Sequence, residues 1–213
     1  MLLLRHRLCL VLLIALVAWV SLGAQFLVSL DKHPELGIAG VAWRLLRFFT
    51  ILTNLLVAAT FTHAALTRQM PGPIWSTGLT LWIVIVGVVN YALLAQVLQG
   101  LEFWADIGLH ALVPGLVLLW WLTAADRQGL RISSALLWLI WPGVYVIYAL
   151  GRGGIDGTYP YFFTDPTRLG WAGVALWSLA LCAVFFVGEV GLIRLARILP
   201  DAAAAAKSGL ARH

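Results

Sequence analysis

Charged residues and cysteines are scarce in this sequence. Asp, Glu, Lys and Arg make up 11% of its 213 residues, and there are two cysteines, Cys9 and Cys182. Both cysteines lie inside apolar runs, which excludes a disulfide framework and a CxxC metal site. Basic residues outnumber acidic ones by 14 to 9, but they form no stripe, so no nucleic-acid partner is expected. No motif for a metal or another cofactor is present, and none is expected.

Apolar residues dominate the composition instead. They make up 62% of the chain, and the mean hydropathy is +0.95. One soluble core of this length cannot bury so much apolar surface, so lipid must solvate part of it. Eleven tryptophans agree with this interpretation, because indole rings favour the boundary between membrane and water.

Six apolar runs can cross a bilayer, for which about 20 helical residues suffice. The runs are residues 8–30, 45–66, 74–98, 104–125, 133–150 and 169–199. They predict an all-α integral membrane protein with about six transmembrane helices in one bundle. Residues 1–200 would form this single domain, and residues 201–213 a cytoplasmic tail.

Two of the runs leave alternatives open. The first follows Arg5 and Arg7 as in a signal peptide, but it is longer than a signal-peptide apolar core of about 7–15 residues and lacks an A-x-A site. We therefore expect it to stay as a helix. The fifth run is short and contains Pro142, so a kink or a locally thinner bilayer would have to make up its length.

The basic residues of the loops predict the orientation. Nine of them lie on the side of the termini: Arg5, Arg7, Arg68, Arg127, Arg131, Arg194, Arg197, Lys207 and Arg212. Five lie on the other side: Lys32, Arg44, Arg47, Arg152 and Arg168. Because cationic loops resist translocation, both termini should be cytoplasmic, with the chain in the cell (inner) membrane.

Polar residues of three predicted helices converge at one depth near their outer ends. On the second helix Arg47, Thr50 and Asn54 are spaced i, i+3, i+7, which places them on one stripe. Asp106 and His110 are i, i+4 neighbours on the fourth helix, and the third helix brings Asn90 to the same layer. Because polar groups in apolar helices are costly, this convergence predicts a functional site.

Each of these residues also has a purely structural interpretation. A transmembrane Thr such as Thr50 commonly bonds its own i−4 carbonyl or a neighbouring helix. His110 could be a packing residue, and Arg47 could extend to a lipid phosphate. The pairing of Asp106 with His110 favours chemistry, because an acid that fixes one imidazole nitrogen leaves the other free as a base.

Several motifs resemble those of two related families. They are Arg47-Phe-Phe-Thr50-Ile-Leu-Thr53-Asn54, Asp106-Ile-Gly-Leu-His110 with Val113-Pro114, Tyr159-Pro160-Tyr161-Phe162 and Gly188-Glu189-Val190. In this order they resemble the bacterial six-pass family called Pr-six-Pr. More distantly, the chain is similar to the androgen-induced hydrolases, which cleave fatty acid esters of hydroxy fatty acids with a Thr and a His.

The resemblance implies that Thr50 is the nucleophile and His110 its base. Asp106 could orient the imidazole, which would complete a coherent catalytic group. Further substrate or oxyanion candidates are the side chains of Arg47, Asn54, Asn90, Tyr159 and Tyr161. The Tyr159–Phe162 loop is expected to be either a lid or an interfacial aromatic anchor.

The sequence thus predicts a lipid ester hydrolase with its site in an outer-leaflet cavity. Its partners would be the bilayer and a membrane lipid or lipid-like substrate. The alternative is a non-catalytic lipid-binding or transport protein, although matched halves with broken helices, typical of transporters, are not visible. Glu189, late in the sixth helix, is expected to pair with a polar group of another helix.

Overall fold

The computed structural model describes residues 2–199, with side chains for residues 7–199. Most of these residues are helical, and none of them lies in a strand. Six helical stretches are long and apolar enough to cross a membrane: Arg7–Lys32, Phe49–Thr67, Pro73–Leu94, Gly100–Thr123, Ile132–Asp156 and Pro166–Ile198. The predicted all-α, six-helix membrane fold is confirmed. The predicted tail, 201–213, lies outside the described residues.

Four of the six spans are interrupted or changed in winding. The first three spans contain α1 (Leu2–Lys32), α3 (Phe49–Thr67) and α4 (Pro73–Val89), and the short α2 (Gly37–Leu45) lies between α1 and α3. The last three contain α5 (Gly100–Ile107), α6 (Val113–Thr123), α7 (Ala135–Trp138), α8 (Ile140–Asp156) and α9 (Pro166–Ile198). Two of the six spans also contain a π-helical segment. Asn90–Leu94 follows α4, and Gly108–Leu112 lies between α5 and α6.

The core lies around α1, which packs along α3, α5 and α6. Several tryptophans are buried in this core, among them Trp82, Trp121 and Trp138, although their number had suggested the membrane boundary. The Trp82 indole donates to the Trp138 carbonyl at 2.8 Å, and the Trp121 indole to Thr77 Oγ1 at 2.9 Å. Because lipid offers no hydrogen-bond partner, each of these buried donors is satisfied inside the bundle.

The second span begins later than predicted. α2 ends at Leu45, α3 begins at Phe49, and Arg47 lies in the turn between them. The prediction that Arg47 shares a helical stripe with Thr50 is therefore wrong. The last carbonyls of a helix need partners from outside it, and here Tyr148 Oη donates to the Leu46 carbonyl at 3.1 Å.

The fifth span is longer than predicted, because α8 continues through 151–156, which the sequence had suggested to be loop. It ends at Gly157, whose φ of 70° is the left-handed conformation that glycine adopts readily. Pro142 lies in the first turn of α8, where a missing N–H costs little. At Gly153 a Cβ would lie 2.2 Å from the Tyr159 ring, so glycine is needed for the loop to fold back onto the helix.

Candidate functional site

Three of the predicted residues form one chain of contacts. Thr50 Oγ1 lies 3.3 Å from His110 Nε2, and His110 Nδ1 lies 2.8 Å from Asp106 Oδ1. All three side chains are partly accessible. The structure therefore brings together a hydroxyl, an imidazole and a carboxylate that stand on two different spans.

The surroundings of His110 fix its tautomer. Nδ1 also lies 3.1 Å from the backbone carbonyl of Asp106, which can only accept a hydrogen bond. Nδ1 thus carries the proton in the neutral imidazole, and Nε2 accepts from the Thr50 hydroxyl. Asn90 Nδ2 donates to Asp106 Oδ1 at 3.4 Å, which adds a weak second contact to the carboxylate.

Thr50 owes its setting to the turn before α3. It occupies the first helical turn, where backbone N–H groups lack a carbonyl partner within the helix. Phe48 at the N-cap gives no side-chain bond, so the positive end of the helix dipole stays available. The Thr50 amide faces the Tyr161 hydroxyl oxygen at 3.5 Å.

His110 stands on the π-helical segment Gly108–Leu112. Such segments add a residue to one helical turn and occur often at functional sites. Gly87 of α4 packs directly against this turn, because a Cβ there would lie 2.5 Å from the His110 carbonyl oxygen. The close approach of α4 thus fixes the height and rotation of the imidazole.

Tyr161 closes the site from the loop between α8 and α9. Its ring stacks on Phe163 with centroids 4.9 Å apart and meets Phe48 edge-on at 6.0 Å. Removal from water raises the pKa of the Tyr161 phenol above its ordinary value. The phenol therefore stays neutral across the physiological pH range, and its oxygen accepts from the Thr50 amide.

Two cavities meet at Thr50. The polar cavity, of about 390 Å³, contains Asp106 and His110. The apolar cavity, of about 230 Å³, lies among α4, α8 and α9. The walls of both cavities include Thr50, Asn90, Leu94 and Tyr161. A molecule that occupied both would therefore contact Thr50.

Three other predicted residues line neither cavity. The Arg47 guanidinium contacts Asp156 Oδ2 at 2.6 Å and the Thr158 carbonyl at 2.8 Å. Asn54 is buried and donates to the Thr50 carbonyl at 2.9 Å, so it braces the first turn of α3. Tyr159 packs on α8.

A polar stripe on α8 was missed at the sequence level. Tyr145, Tyr148, Arg152 and Asp156 are spaced i, i+3, i+7, i+11. Tyr145 Oη donates to the Arg47 carbonyl at 3.0 Å, and Arg152 Nη2 donates to the Trp43 carbonyl at 2.5 Å. The stripe therefore holds the turn that precedes Thr50. Its spacing would have revealed it if residues 151–156 had been assigned to the helix.

Cationic residues of the polar cavity had been assigned only to topology. Lys32 and Arg44 line it, and Lys32 forms an ion pair with Glu102. The walls of the polar cavity therefore combine both signs of charge.

Glu189 does not meet the expectation of a polar partner. It is fully buried in α9, and neither carboxylate oxygen has a hydrogen-bond partner within the described part of the chain. The neighbouring Gly188 packs against Leu81 of α4. α4 carries no charged residue, so it offers Glu189 no ion-pair partner.

Among residues 7–199 no three His, Cys, Asp or Glu side chains are grouped so as to hold a metal ion. Comparison of the chain with models of known families, with curated proteins and with solved structures gives no match. The inference of function therefore depends on the geometry of the site.

Proposed function

We propose that this integral membrane protein hydrolyses a lipid ester, with Thr50 as nucleophile, His110 as general base and Asp106 as the residue that orients His110. The main support is the contact chain from Thr50 through His110 to Asp106, located where a polar and an apolar cavity meet. An ester of a fatty acid has the same division into an apolar acyl group and a more polar remainder.

The proposed reaction has two halves. In the first, His110 Nε2 takes the Thr50 proton while Oγ1 bonds to the ester carbonyl carbon. The tetrahedral intermediate then collapses, the carbon–oxygen bond to the alcohol breaks, and His110 returns the proton to the departing oxygen. In the second half, water repeats the sequence on the acyl-threonine and releases the fatty acid.

The negative oxygen of the intermediate needs donors that are already in place. The geometry offers the Thr50 amide, at the positive end of α3, and the Tyr161 hydroxyl 3.5 Å from it. Asn90 also lines both cavities. Asn90 and Tyr161 thus stay oxyanion candidates and the Thr50 amide joins them, whereas Arg47, Asn54 and Tyr159 line neither cavity.

The family and the cellular setting form part of the same proposal. The motifs around Thr50, His110 and Tyr161 resemble those of the Pr-six-Pr family and, more distantly, of the androgen-induced hydrolases. The nine-to-five distribution of basic residues favours the cell membrane with both termini in the cytoplasm. The site would then open toward the outer leaflet.

Labelling with a fluorophosphonate tests the proposal, because such reagents bond to activated hydroxyl nucleophiles. Purified protein in detergent should be labelled at Thr50, and both Thr50→Ala and His110→Ala should abolish the signal. Thr53→Ala is the matched control on the same helix, since the Thr53 hydroxyl only accepts from the Trp141 indole at 3.1 Å. Absence of labelling in folded wild-type protein, together with absence of ester hydrolysis, would favour the non-catalytic lipid-binding or transport protein.

A further inference from the structure

The apolar cavity lies between spans and has almost wholly hydrocarbon walls. α4 contributes Ile85, Val86 and Val89 to it, and α8 and α9 contribute Pro142, Gly143, Val146, Leu181, Cys182 and Phe185. Because polar ligands lose their hydration in such a space without gaining partners, they are excluded from most of its length.

The cavity opens sideways between α8 and α9. These two helices make few close approaches to each other, and Gly143 and Cys182 are both exposed where they line the gap. A Cβ on Gly143 would have no atom within 4 Å. Since α8 and α9 belong to membrane-crossing spans, an opening between them faces the hydrocarbon of the bilayer and not water.

The other end of the cavity is polar. Thr50, Asn90 and Tyr161 lie there, where the cavity meets the polar one. A ligand that fills the cavity must therefore be apolar along its length and carry a hydrogen-bonding group at one end. The volume of about 230 Å³ is below the range of roughly 300–1,000 Å³ typical of sites for drug-sized molecules, which favours a slim chain.

We propose that the apolar cavity is an acyl-chain site: an unbranched fatty acyl chain enters it from the bilayer between α8 and α9, with its carbonyl end at Thr50. Gly143 and Cys182 determine which chains can enter, because bulk added at either position closes the gap between α8 and α9. The role of this chain as the acyl half of a substrate rests on the proposed hydrolysis, whereas its binding does not.

Photo-crosslinking measures this binding directly. The probe is palmitic acid with a diazirine in the middle of its chain, added to the purified wild-type protein in lipid nanodiscs. Crosslinks mapped by mass spectrometry should concentrate on residues 142–146 and 178–185. Crosslinks spread evenly over all lipid-facing helices would overturn the proposal.

Variants of two glycines with similar surroundings provide the control. Gly143→Leu should lower crosslinking at least about tenfold, the loss expected when roughly 1.4 kcal/mol of binding is removed. Gly115→Leu on α6 should leave it unchanged, because a Cβ on Gly115 would also have no atom within 4 Å but Gly115 does not line the cavity. Equal crosslinking of both variants would refute the assignment, and Cys182→Trp gives a second, independent closure of the gap.

The result of the crosslinking can be distinguished from the result of the test for hydrolysis. Crosslinking and fluorophosphonate labelling are both measured on the wild-type protein, so neither result depends on the other. Site-specific crosslinking without any labelling would leave the acyl-chain site standing and remove the hydrolase. Labelling at Thr50 without crosslinks at α8 and α9 would support the hydrolase and overturn the acyl-chain site.

Discussion

Substitution of Asp156 by alanine should destabilise the protein through the turn that precedes Thr50. The Asp156 carboxylate contacts the Arg47 guanidinium at 2.6 Å, lies 3.9 Å from Arg152 Nε and accepts from the Thr158 amide at 3.0 Å. Both arginine side chains are more than nine-tenths buried. One carboxylate therefore compensates two buried cations.

The magnitude follows from these contacts. Loss of a charge-assisted hydrogen bond costs roughly 1.5–3 kcal/mol, and removal of one partner from a buried ion pair costs about 3–5 kcal/mol. Because the Asp156 side chain is 30% exposed, we expect the lower part of these ranges, about 2–3 kcal/mol. Burial already lowers the pKa of Arg47, and Asp156 opposes that shift. Asp156→Asn, which keeps the acceptor oxygen, should lose about half as much.

Unfolding by sodium dodecyl sulfate in mixed micelles, followed by circular dichroism, measures the difference in free energy. Asp126→Ala is the matched control, since exposed Asp126 accepts from the Gln128 amide at 3.0 Å in the same local geometry. It should cost no more than about 1 kcal/mol. Equal losses for the two alanine variants would show that the arginines contribute nothing through Asp156.

Three further predictions concern the site and its orientation. Asp106→Asn should lower ester hydrolysis roughly 10- to 100-fold in steady-state assays, because it weakens one hydrogen bond to the imidazolium. The free energy of unfolding should stay unchanged. An unaltered rate and pH profile would refute the orienting role. Gly87→Ala should lower fluorophosphonate labelling, since its Cβ would lie 2.5 Å from the His110 carbonyl, whereas Gly115→Ala should behave as wild type. Reporters placed at Gly157 and after the last residue should report opposite compartments, and the same compartment for both would contradict the six-span topology.

The sequence predicts the spans well because their main determinant is local. A run of about 20 apolar residues has few alternatives to a membrane-crossing helix, and the i, i+4 spacing of Asp106 and His110 survives small errors in the helix ends. Thr50 and His110 lie on different spans, and the alternating direction of the spans predicts that both residues lie toward the same side of the membrane. Their separation of 3.3 Å depends on packing that a sequence pattern does not reveal.

The turn before Thr50 could not be predicted in the same way. Helix ends are usually marked by Gly, Pro or a polar cap, whereas residues 45–49 read Leu-Leu-Arg-Phe-Phe and carry none of these signals. The turn exists because Tyr145 and Tyr148, about 100 residues later, bind its carbonyls. Tertiary partners thus override local preference here, and they also explain why α8 stays helical through the three glycines of residues 151–154.

Because of the π-helical turn at Gly108–Leu112, the presence of the site depends on a single residue in the length of that turn. Such a turn holds one residue more than an α-helix needs. Deletion of one residue between Asp106 and His110 would restore regular winding and change the side of the helix on which the imidazole stands relative to Asp106, because each residue advances the winding by about 100°. The imidazole would turn away from Thr50 while the span kept nearly its full length. A deletion of a single residue would thus keep the six-helix scaffold while removing the contact between His110 and Thr50.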